Sequence, residues 1–172
     1  MKKYIFMVAA MLLAFNAGAQ KLQKPVIDKI TGDTTLETKE EPMQSKLSLS
    51  THLIGCSIMK GKGIYLCFHL REGFVEWDFY VSAGDKAIIK FADGKLIELD
   101  AAFEDHSSIH YDATPIFTAA YFYYSLNGGD IDQLKNNKIA VIRINTSMGN
   151  FDYDISDGKS EIVKKQLELI AK

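Results

Sequence analysis

Both cysteines of the chain lie in one short stretch, GCSIMKGKGIYLCFH, Gly55 to His69, on either side of a glycine-lysine turn. Thiols so placed could be bridged, could hold a metal, or could stay free, and strand pairing decides among these. In one register Cys56 faces Cys67, Ser57 faces Leu66 and Met59 faces Ile64. That register suits a two-residue Gly61-Lys62 turn and equally a four-residue Lys60 to Gly63 loop. The tight turn makes Cys56/Cys67 a hydrogen-bonded pair. The longer loop makes it a non-hydrogen-bonded pair, whose side chains lie closer and bridge more easily. A three-residue loop would put the cysteines out of register and leave them apart. A Cys56–Cys67 disulfide across so short a loop would stabilise by at most about 3 kcal/mol. Two reduced, half-buried thiols are the alternative.

His69 shares a side with Cys67, and His52 shares one with Cys56, so four N/S ligands on one ribbon face could approach a tetrahedral zinc site. A twisted ribbon spreads such ligands widely, however, and no CxxC or HxxxH spacing clamps two of them. Histidines at a polar sheet edge are therefore expected, with no metal and no cofactor. In EDHSSIHYD, His106 and His110 are four apart and flanked by Glu104, Asp105 and Asp112. Adjacent Asp105, His106 and Ser107 cannot form the acid–base–nucleophile line of a hydrolase, which draws its members from separate elements. A solvated loop is the expectation. DYDISDG, from Asp152, offers oxygen ligands at positions 1, 3 and 5 of a calcium loop. It has Asp157 where glycine is needed and Val163 where a bidentate glutamate is needed. Outward strand acids followed by a helix cap explain it better. In the aromatic run Tyr121-Phe122-Tyr123-Tyr124, one alternate pair should enter the core. Tyr121 and Tyr123 would then lie on the other face as binding aromatics, if nothing covers them.

The elements that must position these residues are mostly strands. Short alternating segments separated by glycine or Asp/Asn turns, with one convincing helix, argue for a mainly β fold: an antiparallel β-sandwich, or alternatively an open β-barrel. Val26, Ile27 and Ile30, the Thr31-Gly32-Asp33 turn, then Thr34, Leu36 and Thr38 predict an edge hairpin, with a disordered tail as the alternative. Ile64, Leu66, Phe68 and Leu70 alternate toward the core, away from Tyr65, Cys67, His69 and Arg71. Val75, Trp77, Phe79 and Val81 repeat the period. KAIIKF-ADGK-LIELD predicts a hairpin turning at Asp93-Gly94, with Ile88 to Phe91 paired to Leu96 to Leu99. Ile116 to Leu126 reads as a strand, and Asp130 to Leu134 as a single helical turn with Asp130 at its start. KIAVIRIN is apolar almost throughout, as in a strand covered on both faces, and Phe151 to Ile155 alternates. Ser156 or Asp157 could cap a C-terminal helix bearing Ile162, Val163, Leu167 and Ile170 on one stripe. That helix is expected to pack on the sheet and supply the missing cover.

MKKYIFMVAAMLLAFNAGAQ has the Lys2-Lys3 start, apolar run and Ala17-Gly18-Ala19 site of a secretory signal. The expected organisation is a signal peptide at 1–19 cleaved after Ala19, a short tail at 20–24, and one domain over 25–172. The product would be periplasmic or extracellular, without an integral membrane anchor, since a span needs about 20 apolar residues. Formal charge is −2, from 20 basic and 22 acidic residues, and −4 once Lys2 and Lys3 leave with the leader. With no basic block to track phosphates, nucleic acid is not an expected partner.

The succession KxxDKITGDTTLET, GDKAIIKFADGKLIEL, DIDQLKNNKIAVIRINTSMGNFDYDI and a terminal amphipathic helix resembles small exported β-rich proteins of gut Gram-negative bacteria, whose function is not established. The resemblance implies a compact exported domain, and carries no catalytic residue and no substrate. The functional expectation is a non-catalytic domain that binds a protein or glycan partner or serves as an accessory subunit. The alternative is a small envelope hydrolase with a site assembled from loops.

Overall fold

A computed structural model describes residues 21–44, 52–73, 78–111 and 117–171. The expected leader, Val75, Trp77, Asp112 and Ile116 lie outside the described residues. The strands are β1 (Val26–Ile27), β2 (Thr34–Glu37), β3 (Glu41–Pro42), β4 (His52–Lys60), β5 (Ile64–Gly73), β6 (Tyr80–Val81) and β7 (Lys86–Phe91). They continue as β8 (Leu96–Asp100), β9 (Asp105–His106), β10 (Ser108–His110), β11 (Phe117–Leu126), β12 (Ile139–Thr146) and β13 (Gly149–Asp154). Helix α1 spans Gly128–Asn136 and α2 spans Ile162–Ile170.

The larger sheet runs β1-β2-β4-β5-β11-β10, with β3 also on β4; the second runs β13-β12-β7-β8, and β6 pairs β9. All pairings among the described residues are antiparallel. An Ala101–Tyr124 bridge, and an Ala102 N–H donating to the Tyr123 carbonyl at 2.8 Å, carry the end of β8 onto β11. The two sheets therefore curl toward each other as a half-barrel. The inward residues alternate as the period of two requires. Ile54, Ile58, Leu66, Phe68 and Leu70 face Ala87, Ile89, Leu99, Ile142 and Ile144 across one core. Phe79 fills its middle, its ring edge-on to Phe122 at 5.9 Å and to Phe151 at 5.2 Å. Ile162, Val163, Leu167 and Ile170 of α2 close the core beside β4 and α1. The mainly β fold with a packed C-terminal helix is as the alternation predicts.

Several elements depart from expectation in detail. The β7–β8 hairpin forms, but Lys90 faces Leu96 across a three-residue loop, Ala92 to Gly94, in which Gly94 takes the positive φ of 88°. The register is thus shifted by one from the expected pairing. The N-terminal hairpin forms with Val26 opposite Thr35. Residues 21–23 are not a free tail: Lys39 N–H donates to the Lys21 carbonyl, and Gln23 N–H to the Glu37 carbonyl, both at 2.7 Å. Helix α1 is longer than one turn because Asn127, not Asp130, is its cap; the two side chains form a reciprocal capping box. Helix α2 begins only at Ile162, after a turn in which Ser160 Oγ donates to the Asp157 carbonyl at 2.8 Å, so neither Ser156 nor Asp157 caps it. Nor does α2 cover the second face of β12. It packs on the core side, and Val141 and Arg143 line a shallow hollow with Ile88, Lys90 and Leu96.

Candidate functional site

The hairpin that carries the cysteines turns through three residues, Gly61 to Gly63, so that Lys60 faces Ile64, Ser57 faces Cys67 and Cys56 faces Phe68. This register matches Ile54 with Leu70 and Ile58 with Leu66, aligning the apolar residues of both strands on the core face. Cys56 and Cys67 consequently point to opposite faces, and both are free and buried. The expected Cys56–Cys67 disulfide does not form. Cys56 donates its thiol proton to Gln166 Oε1 of α2 at 3.3 Å, while Gln166 Nε2 donates to the Cys56 carbonyl at 3.0 Å and the Lys39 carbonyl at 3.2 Å. Burial pushes the Cys56 thiol pKa well up and that of Cys67 up to about 12. Neither is a thiolate near neutral pH, so neither is primed as nucleophile or metal ligand. The one-face zinc arrangement fails for the same geometric reason. Among the described residues, no three His, Cys, Asp or Glu side chains form a metal-holding group.

The outer face of the larger sheet is where polar chemistry collects. Its cross-strand rows are Leu53–Arg71–Ala119, Gly55–His69–Tyr121 and Ser57–Cys67–Tyr123 on β4, β5 and β11. Two glutamates join them through an irregularity in the N-terminal edge. Glu37 faces Met59 and Glu41 faces Cys56, so four residue steps on the edge match three on β4. This extra residue is a β-bulge. Thr38 satisfies the disrupted ladder: its side-chain oxygen accepts from Ile58 N–H at 2.8 Å, and its own N–H donates to the Ile58 carbonyl at 2.9 Å. In a regular strand residues three apart face opposite ways. The bulge instead puts Glu37 and Glu40 both above the outer face. Gly55 leaves room for the second of them, since a Cβ there would lie 2.7 Å from Glu40 Oε1.

A line of polar contacts results. Ser57 Oγ donates to Glu37 Oε1 at 2.9 Å, and His69 Nε2 lies 2.9 Å from the same Oγ. Because the hydroxyl proton goes to the carboxylate, Nε2 must be the protonated nitrogen that donates to Ser57. His69 Nδ1 lies 3.1 Å from Glu40 Oε2, an acceptor facing an acceptor once the proton is on Nε2, and this buried nitrogen has no hydrogen-bond partner among the described residues. Burial lowers the His69 pKa; the Glu40 and Glu37 carboxylates oppose this without reversing it. His69 is only 7% exposed, and its ring meets Tyr121 edge-on at 4.7 Å.

Ser57, His69 and Glu40 recapitulate the order of a serine hydrolase triad. Ser57 is wholly buried, however, its proton is committed to a second carboxylate, and Nδ1 makes no hydrogen bond to the acid. The line braces the bulged edge against β5 and offers no reachable nucleophile. Tyr121 and Tyr123 lie on this outer face as the alternation predicts, with Tyr121 41% exposed and Tyr123 half-buried. Phe103, 45% exposed and not anticipated, tilts against Tyr123 at 5.3 Å. The neighbouring Ala102–Tyr123 backbone bond holds it there.

His106 and His110 are separated. They sit on short strands β9 and β10, not in the expected loop. His106 contacts Glu104 at 3.2 Å, whereas His110 stacks on Phe117 at 4.6 Å. Asp152 is an outward strand acid, in a two-pronged pair with Arg143 at 2.7 and 2.6 Å. Compared with known protein families, curated proteins and solved structures, the chain has no significant match.

Proposed function

We propose that the protein is an exported, non-catalytic binding module whose outer sheet face holds a glycan chain. The observation that carries this reading is the placement of Tyr121, Tyr123 and Phe103 on one side of the sheet, two of them more than two-fifths exposed. Strand β11 pairs with β5 along its whole length, and the Ala101–Tyr124 bridge and Ala102–Tyr123 bond hold its other side at the tyrosines, which makes these rings a rigid platform. Sugar rings have apolar C–H faces that stack on aromatics and a rim of hydroxyls that both donate and accept. Arg71 and Glu40 stand beside the platform to meet such a rim. A standard protein interface covers about 800 Å² per partner. Three rings offer much less, but enough for one or two sugar units. The N-terminal leader supports export.

Calorimetric titration of residues 20–172 with soluble tetrasaccharides tests the reading: β-1,4-linked glucose, mannose and N-acetylglucosamine, and α-1,4-linked glucose. The exposed two-fifths of Tyr121 amounts to about 90 Å², and covering most of it is worth about 1–2 kcal/mol. At least one tetrasaccharide is expected to bind, and Tyr121→Ala to weaken it roughly 10-fold. No binding at millimolar concentration, or binding indifferent to both Tyr121→Ala and Phe103→Ala, would overturn the proposal.

A further inference from the structure

A cavity of about 180 Å³ opens beside the platform, its polar wall made of Glu40, Gln44, His69 and Arg71 and its apolar wall including Pro42 and Leu53. At about 30 Å³ per water, that is the space of about six waters, enough for the hydroxyl-bearing edge of a sugar. His69 belongs both to this wall and, through its ring contact with Tyr121, to the aromatic platform. The cavity and the platform are therefore parts of one surface.

The cavity's chemistry is set by hydrogen-bond polarity. Glu37 takes the Ser57 proton, Ser57 takes the His69 Nε2 proton, and Nδ1 is left as a bare acceptor. Its neighbour at 3.1 Å is Glu40 Oε2, also an acceptor. Two acceptors at that separation with no proton on the line between them repel, and a buried acceptor without a donor is unfavourable. What relieves both is a donor from outside. Glu40 is 36% exposed and lies at the end of a flexible side chain, so it can yield to admit one. On the opposite side, the Arg71 guanidinium, 3.9 Å from the same carboxylate, presents donors only. These charged groups favour a ligand that donates at one end and accepts at the other, and the Gln44 amide on the same wall can serve either role.

From this polarity, and resting on the glycan reading above, we infer that the Glu40–His69–Arg71 cavity is the specificity subsite, taking two adjacent hydroxyls of a neutral sugar. One hydroxyl donates to the Nδ1–Glu40 pair and its neighbour accepts from Arg71. An acidic sugar would meet the Glu40 carboxylate and be disfavoured. A sugar without the paired hydroxyls would leave the acceptors unrelieved.

The test uses whichever of the four tetrasaccharides binds the wild-type chain, measured against wild type, Glu40→Gln, Arg71→Leu and Tyr121→Ala, with folding checked by circular dichroism. Nitrogen-15 NMR of the His69 ring, recorded before and after addition, reads the subsite directly. The free protein is expected to show the Nε2–H tautomer, and addition to shift the Nδ1 signal toward a hydrogen-bonded acceptor. Glu40→Gln and Arg71→Leu should each weaken binding about 10-fold or more, as loss of a hydrogen bond to a charged group does. If binding depends on Tyr121 but survives both subsite changes, or if the Nδ1 signal does not move, this inference fails and the platform reading stands. If no tetrasaccharide binds wild type, both fail. An Nδ1–H tautomer in the free protein also overturns the inference, because the polarity argument then has no basis.

Discussion

Gly55→Ala isolates the part that the bulged edge plays at the outer face. Gly55 is buried, and its φ does not lie in the left-handed region, so alanine suits its backbone. The added Cβ would stand 2.7 Å from Glu40 Oε1, 3.1 Å from its Cγ and 3.3 Å from its Cδ. Only the end of a flexible side chain is in the way. The carboxylate must therefore move while the backbone need not. Replacing glycine favours the folded state by about 0.4–1 kcal/mol through the unfolded chain. Giving up the half-exposed Glu40–Arg71 contact at 3.9 Å costs little. Net stability should stay within about 1 kcal/mol of wild type. The site should respond more clearly, because Glu40 is the principal charge holding the His69 pKa up against desolvation. Once Glu40 is displaced, the His69 pKa should fall further. Urea unfolding and an NMR titration of the imidazole measure the two effects separately. A loss of more than about 2 kcal/mol would mean that something rigid, not Glu40, occupies the space above Gly55. An unmoved His69 titration would mean that Glu40 does not govern it.

Thiol titration should find two reactive groups in the unfolded chain with and without reductant, and almost none in the folded chain at pH 7. A count that rises only on reduction contradicts the opposite-facing cysteines. Gln166→Met should destabilise by about 1–3 kcal/mol by urea unfolding, since it strands the buried Cys56 carbonyl and removes a donor from the part-buried Lys39 carbonyl; a neutral result would mean other donors reach them. His69 has a folded pKa below its unfolded value of about 6.5, so the unfolded chain takes up that proton first. Its contribution to stability should be complete above pH about 6.5 and decline as pH falls from there toward the folded pKa. The decline should flatten in His69→Gln, and an identical slope in that variant would refute neutral burial of the imidazole.

The parts of this structure legible in sequence were those that depend on alternation within one strand. The facing of Ile64, Leu66, Phe68 and Leu70 against Cys67, His69 and Arg71 follows from period two alone. So does the outward placement of Tyr121 and Tyr123. What lay beyond reach depends on counting across strands. The β4–β5 and β7–β8 hairpins each turn through three residues, and a one-residue change of loop separates Cys56 from Cys67. A signal for the true register was nonetheless present, because only the shift by one pairs Ile54, Cys56 and Ile58 with Leu70, Phe68 and Leu66. The contribution of Glu37 and Glu40 had no such signal. They sit in a stretch that reads as a polar hairpin strand and its exit, and only the bulge, visible once β2 and β3 are seen on β4, turns both to one side. Ser57 was equally hidden, since its importance comes from the partners on either side of it.

The central claim is that the outer face around Tyr121 and His69 is the binding surface. Chemical-shift mapping on isotope-labelled protein, titrated with the tightest-binding tetrasaccharide, tests it most directly. The account predicts saturable perturbations at Tyr121, Tyr123, Phe103, His69 and Arg71, and little change elsewhere. Perturbations centred on the Val141–Arg143–Leu96 hollow or on the exposed Val26–Ile30 hairpin, with the Tyr121 ring unmoved, would contradict it.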